Sequence, residues 1–329
     1  MPLIPDSSYR APLLLLGGHL QTIYPALFRR VGRITKRNER LELADGDFID
    51  LQWANHGNRR LAILSHGLEA NTQTAYIQGM ATALVRRGWD VLVWNFRGCS
   101  PEPNRLLQMY HSGSTGDLHA VVCHALANHP AESIDLIGFS LGGNLMLKYL
   151  GENPALLPPQ IRRAVAFSVP CDLACSSREL SLFSNKIYME RFLVAMRAKI
   201  RAKDKMFPGQ LDLTGLEEIR TFQEFDDRYT APIHGFRDAE DYWARNSCRQ
   251  FLTSIHHPTL LVNSKNDPFL GPACHPHEEA AASGCFHFEF PQTGGHVGFT
   301  TFNHSGEYWS ESRAVDFLGS IKASEVAGD

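Results

Sequence analysis

Short apolar runs alternate along this chain with windows whose apolar residues recur every three or four positions. That alternation restricts the possible folds more than any other feature of the sequence. Leu61 to Ser65, Val91 to Trp94, Ile134 to Phe139 and Ala164 to Val169 read as buried strands, as do Thr259 to Asn263 and Phe286 to Phe290. Ile77, Met80, Ala81 and Leu84 fall on one face of a helix starting at Thr74. Arg86-Arg87-Gly88 closes it, with cations at its negative end and glycine at the left-handed stop. Asp117 to Ala127 reads as another helix, Leu145 to Leu150 as one that stops at Gly151, and a final helix spans about Tyr308 to Ala323. Arg40 to Ala44 and Phe48 to Ala54 flank the hairpin signal Asp45-Gly46. Strands alternating with helices imply an α/β fold with a mostly parallel central sheet flanked by helices.

The alternation lapses between Leu173 and Ser247. This stretch of 75 residues has helical patterning and clustered charge (Lys199 to Lys205, Glu217 to Arg220) but no strand series. Connections inside a compact domain usually span about 2–6 residues. The expectation is therefore a helical cap, 173–247, inserted into a core domain of 1–172 and 248–329, with a separate helical domain as the alternative. With 329 residues, 43% of them hydrophobic, the chain can bury a core without disulfides or structural metal. Its 32 basic and 35 acidic residues leave no basic footprint for nucleic acid or an anionic membrane. Seven cysteines, an odd number without a C-x-x-C pair, point to a reducing compartment. The apolar run Ala11 to Leu16 is too short for a signal peptide, and no segment is long enough to span a bilayer. A cytoplasmic location without a membrane span is expected; the oligomeric state is not readable.

Gly138-Phe139-Ser140-Leu141-Gly142 matches G-x-S-x-G, with an apolar strand running into it and a helix leaving it. That context makes Ser140 a candidate nucleophile rather than a helix-capping serine. A serine hydroxyl needs a base to activate it, and the base needs an acid to orient it. Asp267 follows the strand Thr259 to Asn263, and His296 lies in Gly294-Gly295-His296-Val297-Gly298 after the last core strand. Both come after Ser140 in the chain order this elbow requires. Asp172 is the rival acid, while Asp226 and Asp227 fall inside the expected cap. The backbone N–H groups of Leu141 and of Leu68, in His66-Gly67-Leu68, are candidate donors to an oxyanion. His66 reads as a structural imidazole of its loop. Arg97 and Tyr110-His111 read as loop braces, with substrate contact as the alternative. Cys274 to Glu279 offers ligand-type side chains, but Pro276 disrupts helical spacing and no second cluster accompanies it. No metal or organic cofactor is expected.

The chain resembles the α/β-hydrolase superfamily, and within it the YheT-type hydrolases. The resemblance rests on Gly18-His19-Leu20-Gln21-Thr22-Ile23, His66 to Glu69, Asn95 to Ser100, Tyr110 to Gly113, Gly138 to Asn144 and Gly295 to Phe299. It implies serine-dependent hydrolysis of carboxylic esters, with short-chain esters and monoacylglycerols as the small-molecule substrates, on Ser140, Asp267 and His296. Acyl transfer by the same acyl-enzyme, and a non-catalytic binding protein on this fold, are the competing readings. Of the cap's apolar groups, Leu182, Phe183, Ile187, Tyr188, Phe192 and Leu193 either line the cleft or pack the cap itself. If they line it, Phe183 and Phe192 set acyl-chain length.

Overall fold

The computed structural model describes residues 3–32 and 34–320. Its strands are β1 (Leu3–Ile4), β2 (Arg37–Glu42), β3 (Phe48–Ala54), β4 (Arg60–Ser65), β5 (Asp90–Trp94), β6 (Ser133–Phe139), β7 (Ile161–Phe167), β8 (Thr259–Val262) and β9 (Phe286–Glu289). They form one sheet in the order β1-β9-β8-β7-β6-β4-β5-β3-β2. Pairing is parallel from β1 across to β5, and antiparallel only where β3 meets β5 and β2. The central strands read as continuous apolar runs because both faces are covered. Ile63 and Leu92 face one side, with α3 (Thr115–Asn128) and α4 (Leu141–Glu152); Ala62, Leu64 and Val93 face the other, with α2 (Ala75–Val85) and α11 (Trp309–Gly319). The expected final helix thus begins at Trp309, and its residues 321–323 lie outside the described residues.

Between β7 and β8 the chain forms α5 (Leu173–Leu180), α6 (Lys186–Met206), α7 (Phe222–Phe225), a π-helical stretch Asp226–Thr230, α8 (Ala231–His234) and α9 (Ala239–Asn246). Their apolar side chains make a third cluster, with Leu193, Ile200, Phe225, Tyr229 and Trp243 buried in it. The expectation for Phe183 fails: its side chain is 91% exposed, and Leu182 and Ile187 also face solvent. The cause lies in Asn185, whose buried side chain donates to the carbonyls of Glu179 (2.8 Å) and Pro268 (2.7 Å) and turns that face of the segment inward. Among the described residues no helix is long and apolar enough to cross a membrane.

Four elements differ from the sequence reading: β1 was not expected, β2 spans Arg37–Glu42 rather than Arg40 to Ala44, and two helices depart from it. Helix α4 does not stop at Gly151 but continues to Glu152. A Cβ at 151 would collide with the Phe251 carbonyl oxygen, so this glycine serves a close approach rather than a stop. Helix α1 (Gly18–Phe28), for which no helix was expected, buries Gln21, Thr22 and Pro25 while Leu20, Leu27 and Phe28 lie exposed. The remaining helix, α10 (His277–Ala282), begins just after Pro276.

Candidate active site

Strand β6 ends in a turn so tight that Ser140 sits at φ +52, where non-glycine residues are strained. Its N–H donates to the Phe167 carbonyl (2.9 Å), and its own carbonyl accepts from Gly143 and Asn144, starting α4. A Cβ at Gly142 would strike the carbonyl oxygens of Ser65 and His66, so only glycine lets the elbow lie against the end of β4. The Ser140 hydroxyl is thereby presented at the positive end of α4.

The sequence-predicted partners meet it there. His296 Nε2 lies 2.9 Å from Ser140 Oγ, and His296 Nδ1 lies 2.9 and 3.1 Å from the two Asp267 oxygens. The buried carboxylate beside Nδ1 keeps the ring proton there and leaves Nε2 free to accept the serine proton. Asp267 also accepts from Phe269 N–H (2.9 Å), and the Phe269 ring stands 4.1 Å from the imidazole. Asp172 is not part of this chain of bonds: it caps α5 by accepting from Cys175 N–H (2.7 Å). Asp227 accepts from Ala239 N–H (2.7 Å). Asp226 lines the cleft and accepts from Trp243 Nε1 (2.8 Å); burial pushes its carboxyl up to about 7.

Helix α1 holds the His296 loop. Thr22 Oγ1 accepts from His296 N–H (2.9 Å), and Gln21 Oε1 accepts from Gly294 N–H (2.7 Å) and Asn266 Nδ2 (3.1 Å). Asn266 Oδ1 accepts from Gly295 N–H (3.1 Å), and Ser168 Oγ accepts from Val297 N–H (2.8 Å). Gln21 and Thr22 were legible as members of a motif but not as braces of the His296 loop. A buried glutamine beside exposed leucines reverses the usual amphipathic pattern, and its partner is distant in sequence.

The Leu68 amide is oriented by its neighbours. Phe96 N–H donates to His66 Nε2 (3.2 Å), so His66 Nδ1 carries the proton and donates to the Gly67 carbonyl (2.8 Å). In a trans peptide the N–H points opposite to the carbonyl, which turns the Leu68 N–H away from His66. The flanking amides of Gly67 and Glu69 donate to the hydroxyls of Tyr76 (2.9 Å) and Tyr110 (3.0 Å). Leu141, the first residue of α4, has an N–H without a partner in its own helix. Leu68 and Leu141 both line the cleft that holds Ser140. Burial pushes His66 down to about 3, so it stays neutral and structural, as its loop position implied. Arg97 braces loops through Asp117 (2.7 Å) and Asp45 (2.6 Å); Tyr110 and His111 also brace loops, Tyr110 donating to Glu69 (2.7 Å) and His111 accepting from Gly113 N–H (3.1 Å), while both line the cleft.

The cleft encloses a cavity of about 130 Å³, and Leu173, Leu180, Phe192, Met196 and Phe269 give it an apolar wall. Among the described residues no group of three or more His, Cys, Asp or Glu side chains is arranged to hold a metal. Cys274 is buried with its thiol on the Asp172 carbonyl, and His275 and His277 pack against Phe290.

Residues 63–301 match the family described as the alpha/beta hydrolase fold. The chain is 36% identical to a putative esterase, YheT, of Escherichia coli (strain K12), over 91% of this chain and 89% of that protein. It is 27% identical to the monoacylglycerol lipase ABHD2 of Danio rerio, over 88% of this chain and 73% of the relative. Among solved structures, the Pyrococcus furiosus esterase Pf2001 shares the fold with a TM-score of 0.60 at 18% identity, over 88% of this chain and 95% of that one.

Proposed function

Because this chain belongs to the α/β-hydrolase fold family, and within it to the YheT type, we propose that it cleaves carboxylic esters through an acyl-enzyme on Ser140. It is an esterase- or lipase-type hydrolase. The observation that carries the mechanism is the unbroken run of hydrogen bonds from Ser140 Oγ through His296 to Asp267. Ser140 Oγ attacks the ester carbonyl carbon as its proton passes to His296 Nε2, and Asp267 stabilises the imidazolium. The carbonyl oxygen, now an anion, accepts from the N–H groups of Leu68 and Leu141. Collapse of the tetrahedral intermediate breaks the ester C–O bond, and the leaving alkoxide takes the proton from His296. A water molecule, deprotonated by the same nitrogen, then releases the acid and restores Ser140.

In the same reading, residues 173–247 act as a cap over a core of 1–172 and 248–329, and the apolar wall receives the acyl group. The wall's composition supports short- to medium-chain acyl esters, monoacylglycerols among them, as substrates. Seven free cysteines support a cytoplasmic location.

Ser140→Ala tests the mechanism. Turnover of p-nitrophenyl butyrate should fall by roughly 10⁵- to 10⁶-fold, as expected when the nucleophile of a triad is lost. Labelling by a fluorophosphonate should vanish while the melting temperature holds. Wild-type labelling of the folded variant would remove Ser140 from the reaction.

A further inference from the structure

On α6, the ammonium of Lys199 reaches out of the insertion to the loop that follows β4. Its Nζ donates to Glu69 Oε1 (2.8 Å) and to Cys99 Sγ (3.2 Å), and stands 4.8 Å from the centre of the Tyr110 ring. The same Glu69 oxygen accepts from the Tyr110 hydroxyl (2.7 Å), which in turn accepts from Glu69 N–H. Glu69 adopts φ +51, a left-handed conformation that a glutamate keeps only where its surroundings hold it. Leu68 therefore lies between two anchored peptides. The preceding one is fixed from the sheet side by His66; the following one is fixed through Glu69, whose only salt bridge among the described residues comes from α6.

We propose that Lys199 is a positioning residue for ester hydrolysis: through Glu69 it holds the strained turn that aims the Leu68 N–H at the developing oxyanion. This rests on the reading of Leu68 as an oxyanion donor. Without the ammonium, the largely buried Glu69 carboxylate is left with no cation. The turn then relaxes toward solvent and takes the Leu68 amide out of line. Lys199 and Glu69 themselves line part of the cleft, but its apolar wall of Leu173, Leu180, Phe192, Met196 and Phe269 is untouched, so substrate binding changes little.

Lys203, one turn further along α6, supplies the control. It also ties the insertion to the core, donating to the Asn104 carbonyl (2.6 Å), but that loop carries neither Leu68 nor Glu69.

The experiment compares wild type with Lys199→Met, Lys199→Arg, Glu69→Gln and Lys203→Met in the full chain. The readouts are kcat and KM on p-nitrophenyl butyrate, the Ki of an alkylboronic acid that forms a tetrahedral adduct, and the melting temperature. Loss of a whole oxyanion donor costs about 10²- to 10³-fold in kcat, so misalignment of one should cost about 10- to 100-fold. That loss is expected for Lys199→Met and Glu69→Gln, with a matching rise in boronate Ki and KM within about twofold. Lys199→Arg should recover most of kcat, and Lys203→Met should lower the melting temperature while leaving kcat within about twofold. The proposal is overturned if Lys199→Met keeps wild-type kcat and boronate affinity. It is equally overturned if Lys203→Met reproduces the loss, which would mark a general loosening of the insertion. Should Lys199→Met not fold, Glu69→Gln decides by the same criteria. A dead Ser140→Ala with an unaffected Lys199→Met would sink this role alone; a Ser140→Ala that still turns over would sink the acyl-enzyme reading instead.

Discussion

Asp226 shows how burial converts one side chain into a pH-dependent stability. Its carboxyl lies in the cleft wall with the Trp243 indole N–H and the Thr230 hydroxyl as partners, and burial outweighs both, raising it to about 7. An unfolded aspartate titrates near 3.9, so between about pH 4 and 7 the folded chain holds a proton that the unfolded chain has released. The associated stabilisation is fully present below about pH 4 and is lost as pH rises through about 7. Asp226→Asn keeps the acceptor for Trp243 and has no charge to bury. It should be more stable than wild type at pH 8, by on the order of 4 kcal/mol, with the advantage shrinking toward pH 5. Denaturant titrations at the two pH values measure this; an unchanged difference between them would refute it. In the sequence Asp226 stood beside Asp227 with nothing to separate them, because burial depends on residues such as Trp243 that only the fold brings near. Asp267 and His296 were legible for the opposite reason. Strand-end position and chain order are local and topological properties, and both survive in a single sequence.

At the level of elements, α6 separates two phenylalanines that the sequence could not tell apart. Phe192 lines the cleft, 6.1 Å from Phe269 and 5.9 Å from Phe222, whereas Phe183, just ahead of the helix, points into solvent. Phe192→Ala should open space for additional methylenes, each worth up to about 0.8 kcal/mol, or roughly fourfold in kcat/KM. The optimum of a p-nitrophenyl ester series from acetyl to dodecanoyl should move to longer chains in Phe192→Ala and stay put in Phe183→Ala. Coincident optima in all three proteins would show that α6 does not set chain length. The core strands were readable to within a few residues because parallel strands covered on both faces must be continuously apolar. Helix α1 was not, since it turns Gln21 and Thr22 inward. Gly151 was misread because a glycine ending an apolar helical run resembles a stop, and the Phe251 carbonyl that requires it lies about a hundred residues away.

Across the whole molecule, one ion pair ties the beginning of the fold to its end. Arg29, just after α1, pairs with Glu311 in α11; both side chains are almost wholly buried, and the guanidinium lies 3.7 Å from the centre of the Tyr308 ring. Arg29→Met would strand the Glu311 carboxylate, and a loss of about 3–5 kcal/mol in unfolding free energy is expected. Glu311→Leu in the same background should restore much of it, because two apolar groups need no partner. If the double variant is no more stable than Arg29→Met, the cost lies in packing rather than charge. The clamp that α1 places on the His296 loop has a consequence in time. Gly294 is made 273 residues after Gln21, and His296 156 residues after Ser140. At a typical elongation rate of about 5–20 residues per second, a growing chain carries Ser140 for roughly 8–30 s before His296 exists. Through that interval Ser140, the proposed nucleophile, has no imidazole beside it. On the proposed mechanism, reactivity toward esters is thereby withheld until the ribosome has delivered the segment that α1 waits to grip.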